Sequence, residues 1–215
     1  MHRLFLSTTS RLLRRVTMFF FAVLTLSGAL VLTGCDQQPA RSFQNLDITG
    51  NSQFAGHFSL PDTNGQTRTL DDYRGKVVVM VFGYTHCPDV CPTTLAELSQ
   101  ALQQLGPAKA QRIQVLFVTL DPARDTPSIV AQYASAFDPS FRALRPTDNA
   151  QLEKMAADFR LVYEKVPGTN GDNYTLNHTA ASFVFDTNGK LRLFVRDAQG
   201  AKPWVHDLGE LLDAS

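Results

Sequence analysis

The segment Val77-Val-Val-Met-Val-Phe82 is an unbroken apolar run between Lys76 and Gly83. A strand with one wet face alternates polar and apolar residues. A continuous run therefore predicts a strand covered on both faces, which places it at the centre of an α/β domain. Downstream the spacing changes to that of one helical face, with Leu95, Leu98, Ala101, Leu102 and Leu105 after Pro92 and a stop at Gly106-Pro107. Ile113 to Leu120 is a second apolar strand, and Thr126-Pro127 reads as an N-cap and first-turn proline for a helix reaching Phe137. A helix over Asn149 to Phe159 and a short strand over Leu161 to Val166 follow. After a polar loop rich in Gly, Asn and Thr, Ala181–Asp186 and Leu191–Arg196 flank an Asn188-Gly189 turn, and Trp204 to Leu212 closes the chain as an amphipathic helix. Upstream, Phe58–Leu60 and Thr67–Leu70 flank Asp62-Thr-Asn-Gly65, a hairpin signal. The order predicts an α/β fold: a central mixed β-sheet flanked by helices, with an N-terminal β-hairpin extension.

The first 34 residues read as a leader. Arg3, Arg11, Arg14 and Arg15 precede an uncharged, mostly apolar run from Val16 to Leu32, followed by Thr33-Gly34-Cys35. The Leu-Thr-Gly-Cys ending is similar to a bacterial lipobox, where cleavage before the cysteine leaves lipid on Cys35. Read instead as an uncleaved signal anchor, the run at about 1.5 Å per residue reaches the lower limit of a membrane-spanning helix. Both readings export the rest of the chain on a membrane leash, and Asp36 resembles an inner-membrane retention signal. The expected location is the periplasmic face of a bacterial inner membrane. Residues 35–51 read as the lipidated cysteine and a flexible tether, and 52–215 as one domain. With 20 basic and 20 acidic side chains and no basic stripe after the leader, nucleic acid is not an expected partner.

Lipidating Cys35 leaves two cysteines in the exported domain, Cys87 and Cys91, so a multi-bridge disulfide framework is excluded. They lie in Gly83-Tyr-Thr-His-Cys87-Pro-Asp-Val-Cys91-Pro-Thr-Thr94, where strand becomes helix. A spacing of four brings both sulfurs to one side of a helical turn. Helix-terminal N–H groups favour thiolate there, which serves metal binding and nucleophilic attack alike. The pair is either redox-active or a set of soft metal ligands.

Phe82 to Thr94 resembles the SCO/SenC family of copper chaperones for cytochrome c oxidase assembly. Two further blocks are similar to that family's: Val118-Thr-Leu-Asp121-Pro-Ala-Arg-Asp125-Thr-Pro127, and Tyr174-Thr-Leu-Asn-His178-Thr. The resemblance implies a thioredoxin-like fold and one copper per domain, as Cu(I) or Cu(II), held by Cys87, Cys91 and His178. Two thiolates and an imidazole suit copper, though with a water they would also suit zinc. The resemblance chooses copper. It further implies a binding protein rather than an enzyme, delivering copper to the CuA-bearing subunit of cytochrome c oxidase, with other periplasmic copper carriers or thioredoxin-like reductases as further partners. The alternative is a membrane-tethered thiol-disulfide reductase that keeps a target's copper-site cysteines reduced through a Cys87–Cys91 disulfide. Such oxidoreductases resemble one another in a Cys-x2-Cys pair facing a cis-proline. Here the spacer is three residues, and Asn177-His178-Thr179 stands where that proline would be.

Four residues are candidates for a supporting shell: Asp121, Asp125, His86 and Asp89. Asp121 and Asp125 also fit as acceptors in a turn and at a helix start. His86 also fits as a solvent-facing turn residue, and Asp89 as a loop-shaping one. His57, His206 and the leader's His2 are read as standing outside the site.

Overall fold

A computed structural model describes residues 42–168 and 174–214. The segment expected as a leader, Cys35, the first part of the expected tether and the centre of the Gly/Asn-rich loop lie outside the described residues.

The sheet follows from the two apolar runs. Strand β4 (Val77–Gly83) lies parallel to β5 (Ile113–Thr119) and antiparallel to β9 (Ala181–Phe185). With β1 (Leu46–Asp47), β6 (Arg142–Leu144) and β10 (Leu191–Arg196) they form a six-stranded mixed sheet in the order β1-β10-β9-β4-β5-β6. Every residue of β4 and β5 is buried because helices cover one face and a helix and a hairpin cover the other. Val77, Val79, Val81 and Phe117 pack against α1 (Val90–Leu105), α3 (Pro127–Phe137) and α5 (Ala201–Asp213). Val78, Met80, Phe82 and Val118 face α4 (Asn149–Asp158) and the hairpin β2 (Ser59–Pro61) and β3 (Thr67–Thr69). A short α2 (Pro107–Ala110) follows α1. Each fully buried aliphatic or aromatic side chain contributes about 1.5–3 kcal/mol, so the continuous runs that identify the strands also supply much of the core. The fold is the thioredoxin-like α/β arrangement expected, with the hairpin extension where Asn64-Gly65 predicts it: Gly65 turns at φ +80° and Asp62 N–H donates to the Gln66 carbonyl.

Three strands escape sequence patterning. Leu46–Asp47, expected in the tether, pairs antiparallel with β10, and just before it the backbone N–H groups of Gln44 and Asn45 donate to the buried Asp207 carboxylate at 2.8 and 3.0 Å. Part of the segment expected as tether is thus paired with the sheet. It holds by backbone pairing and one buried acceptor, neither of which leaves an apolar period. Strand β6 is three residues long, too short to show one. Strand β8 (Tyr174–His178), antiparallel to β7 (Tyr163–Pro167), reads as polar loop, yet its side chains alternate: Tyr174, Leu176 and His178 are at least half-buried while Thr175 and Asn177 are exposed.

The β4–α1 connection, the β5–α3 connection and the end of β8 meet at one edge of the sheet, beyond the carboxyl ends of the parallel strands.

Candidate metal centre

Strand β4 ends at Gly83, and the chain turns as Cys87 N–H donates to the Tyr84 carbonyl at 3.1 Å. Helix α1 then starts at Val90, so Cys91 falls in its first turn, and its N–H points at Cys87 Sγ at 3.5 Å. Gly83 has no substitute at this point. A Cβ there would stand 2.6 Å from Cys91 Sγ and 3.1 Å from Phe117. Cys91 is buried, Cys87 is half-exposed at the mouth, and both are free thiols. His178, the last residue of β8, brings Nε2 to 3.8 Å from Cys91 Sγ. Its Nδ1 lies 3.0 Å from the Thr179 carbonyl, an acceptor only, so Nδ1 carries the hydrogen and Nε2 faces the sulfurs. The three donor atoms lie within 4.8 Å of one another.

The two thiols are unequal. The hydrogen bond from Cys91 holds the Cys87 thiol far below its ordinary range against desolvation, with help from His178 and the N–H groups of Asp89 and Cys91. Cys91, as the donor and the more buried, is pushed up. Burial alone would lower the His178 pKa, but its contacts with Cys87 and the Thr179 carbonyl outweigh this and raise it. The arrangement is a thiolate at the mouth, a thiol behind it and an imidazole beside both: a soft donor set that fits a thiophilic metal once protons leave Cys91 and His178.

The expected supporting residues divide. Asp125 is fully buried and accepts from the Thr85 N–H at 3.1 Å and from the Thr85 and Thr119 hydroxyls, tying the cysteine loop to β5. Asp121, also buried, accepts from Tyr174 OH at 2.7 Å and from Arg124 Nε, reaching the strand that carries His178. His86 is exposed, with Nδ1 3.9 Å from Asp125. Asp89 is exposed and precedes α1 without a side-chain capping bond. None of the four is among the three converging donors.

Sequence reasoning missed four others. Gly83, Arg124 and Tyr174 stand inside the recognised blocks but carry no metal-ligating group. Asp197, after β10, is buried and hydrogen-bonded to Ser182 at 2.7 Å; desolvation pushes its pKa up to about 6 while His178 pulls it down. A lone Asp after a strand gives no signal in sequence.

Residues 46–213 match the family described as SCO1/SenC. The SCO2-like protein of Rickettsia felis is 37% identical over 151 residues, 69% of this chain and 72% of its own. The structure of Bradyrhizobium japonicum ScoI with copper bound is 37% identical, with a TM-score of 0.63 over 74% of this chain and 99% of that one. The solution structure of apo Sco1 from Thermus thermophilus is 35% identical, with a TM-score of 0.69 over 81% and 99%. With the matched region spanning both cysteines, His178 and the whole of the sheet, this chain belongs to the SCO1/SenC family.

Proposed function

We propose that this chain is a copper metallochaperone that takes copper as cargo between Cys87, Cys91 and His178 and delivers it to the CuA-bearing subunit of cytochrome c oxidase during assembly. The observation that carries the reading is the convergence of two sulfurs and an imidazole nitrogen within 4.8 Å at the open edge of the sheet. A copper-bound relative of the same family supports the choice of metal. Cys87 offers charge at the surface, Cys91 supplies a second sulfur from a fixed buried position, and His178 completes the set from a different strand. Lipid at Cys35, with residues beyond it as tether, keeps the domain at the periplasmic face of the inner membrane, where an oxidase subunit is assembled. The test is Cu(I) titration of the reduced protein against a chromophoric chelator. His178→Ala weakens binding about tenfold or more, some 1.4 kcal/mol, and zinc fails to displace copper. Indifference to the substitution sinks the proposed ligand set.

The unequal thiols favour a second reading, a thiol-disulfide reductase. The Cys87 thiolate attacks a target disulfide and releases one target thiolate; Cys91, losing its proton, then attacks Cys87 Sγ, so the target leaves as a dithiol and the pair as a disulfide. With an added dithiol to re-reduce the pair, turnover on a target disulfide that survives His178→Ala and is lost with Cys87→Ser establishes this role, and no turnover in the parent chain removes it.

A further inference from the structure

We propose that Arg124 is the positioning residue that holds His178 against the two cysteines. The inference concerns the place of the imidazole, and only its copper arm rests on the metal-site reading above. Arg124 donates through Nε to Asp121 and through Nη1 to the Tyr174 carbonyl at 2.9 Å, and its guanidinium lies over the Tyr174 ring at 3.5 Å. The same group stands 5.8 Å over the Tyr84 ring. Tyr174 returns a bond from its hydroxyl to Asp121 at 2.7 Å, and Tyr84 OH accepts from Leu176 N–H at 3.2 Å. The guanidinium is therefore clamped between the two elements that bear the donors: Tyr84 leads into the cysteine loop, and Tyr174 begins the strand that ends at His178.

Geometry makes this clamp act at a distance. Tyr174 and His178 are four apart on one strand and share a face, so a shift at Tyr174 passes along the stiff ribbon to the imidazole. Among the described residues, strands β7 and β8 pair only with each other, apart from the main sheet. At the ribbon's base Val162 and Thr179 exchange hydrogen bonds of 2.9 and 3.0 Å, and Leu176 is buried midway. Arg124 fixes the remaining end. Its work needs a flat fork that bonds in two directions while stacking on a ring, which an ammonium cannot reproduce. Arg124 is thus a device for aiming a ligand, and its charge is incidental to the sulfurs.

The full-length protein and its Arg124→Gln, Arg124→Lys and His178→Ala variants, with the double variant Arg124→Gln/His178→Ala, separate the outcomes. In the metal-free protein, the nuclear Overhauser contact between the Tyr84 and His178 rings, whose centroids are 6.1 Å apart, disappears in Arg124→Gln and Arg124→Lys. The contact between the core rings of Phe82 and Phe183 persists. In Cu(I) competition, Arg124→Gln weakens binding about ten- to a hundredfold, the range of outer-shell substitutions, and has no effect once His178 is alanine. A retained Tyr84–His178 contact overturns the proposal, as does a copper loss that persists in the His178→Ala background or one that Arg124→Lys restores. If His178→Ala leaves copper binding unchanged, the metal-site reading falls and the ring contact alone decides the role of Arg124. If Arg124→Gln does not fold, Tyr174→Phe, which deletes only the bond to Asp121, must broaden the His178 ring signals; unaltered signals overturn the proposal.

Discussion

Cys91 shapes its partner as much as it binds anything itself. Its thiol hydrogen bond is the foremost cause of the low pKa of Cys87, so Cys91→Ala raises the pKa of Cys87 toward the ordinary cysteine value. With its pKa held far below the ordinary range, Cys87 in the parent chain is expected to keep its rate of alkylation by iodoacetamide from pH 9 down to pH 6. In Cys91→Ala the rate drops about tenfold for each unit below the new, higher pKa. A profile that does not move contradicts the assigned hydrogen bond. The spacing of Cys87 and Cys91 was legible in the sequence because both belong to one turn of chain. The asymmetry between them was not, since it depends on the room that Gly83 leaves for Cys91 Sγ and on the burial of Cys91 in the core that also holds Phe117.

Among the elements, legibility followed length and apolar content. Strands β4, β5, β9 and β10 and helices α1, α3, α4 and α5 bury long periodic faces and announce themselves, and Thr126 caps α3 as its position before Pro127 predicts. Strand β8 carries the imidazole and reads as loop in the sequence, although Tyr174, Leu176 and His178 alternate with Thr175 and Asn177; two of the inward residues are polar-tipped, which hides the period. Strand β1 is held by its backbone and by Asp207, whose carboxylate also accepts from Asn45 Nδ2 and meets His206. Asp207→Ala removes the acceptor that these groups share, costing about 1–3 kcal/mol. Its expected signature is local: faster hydrogen exchange at Leu46, Asp47 and Ile48 with unchanged protection in β4 and β5. Uniform loss of protection throughout the sheet instead makes Asp207 part of the global core.

On the scale of the whole molecule, Asp197 sets part of the pH dependence. Its folded pKa of about 6 lies above its ordinary 3.8, so the folded state binds the proton more tightly than the unfolded one. This contribution to stability is fully present below pH 4 and is lost as pH rises through 6. At neutral pH the ionised, buried carboxylate destabilises the domain by on the order of 1–3 kcal/mol, the balance left after the Ser182 hydrogen bond and the nearby His178 have offset part of the desolvation. Asp197→Asn is expected to melt several degrees higher at pH 7, with the gain fading toward pH 4; a difference independent of pH overturns this account. The clamp at Asp207 has a further consequence on this scale. By drawing the N–H groups of Gln44 and Asn45 onto α5, it joins the two ends of the described chain across 163 and 162 residues of sequence. A pull applied at Gln44 is therefore met first by one carboxylate and its hydrogen bonds, and the strands that carry the cysteines and the histidine lie behind that latch.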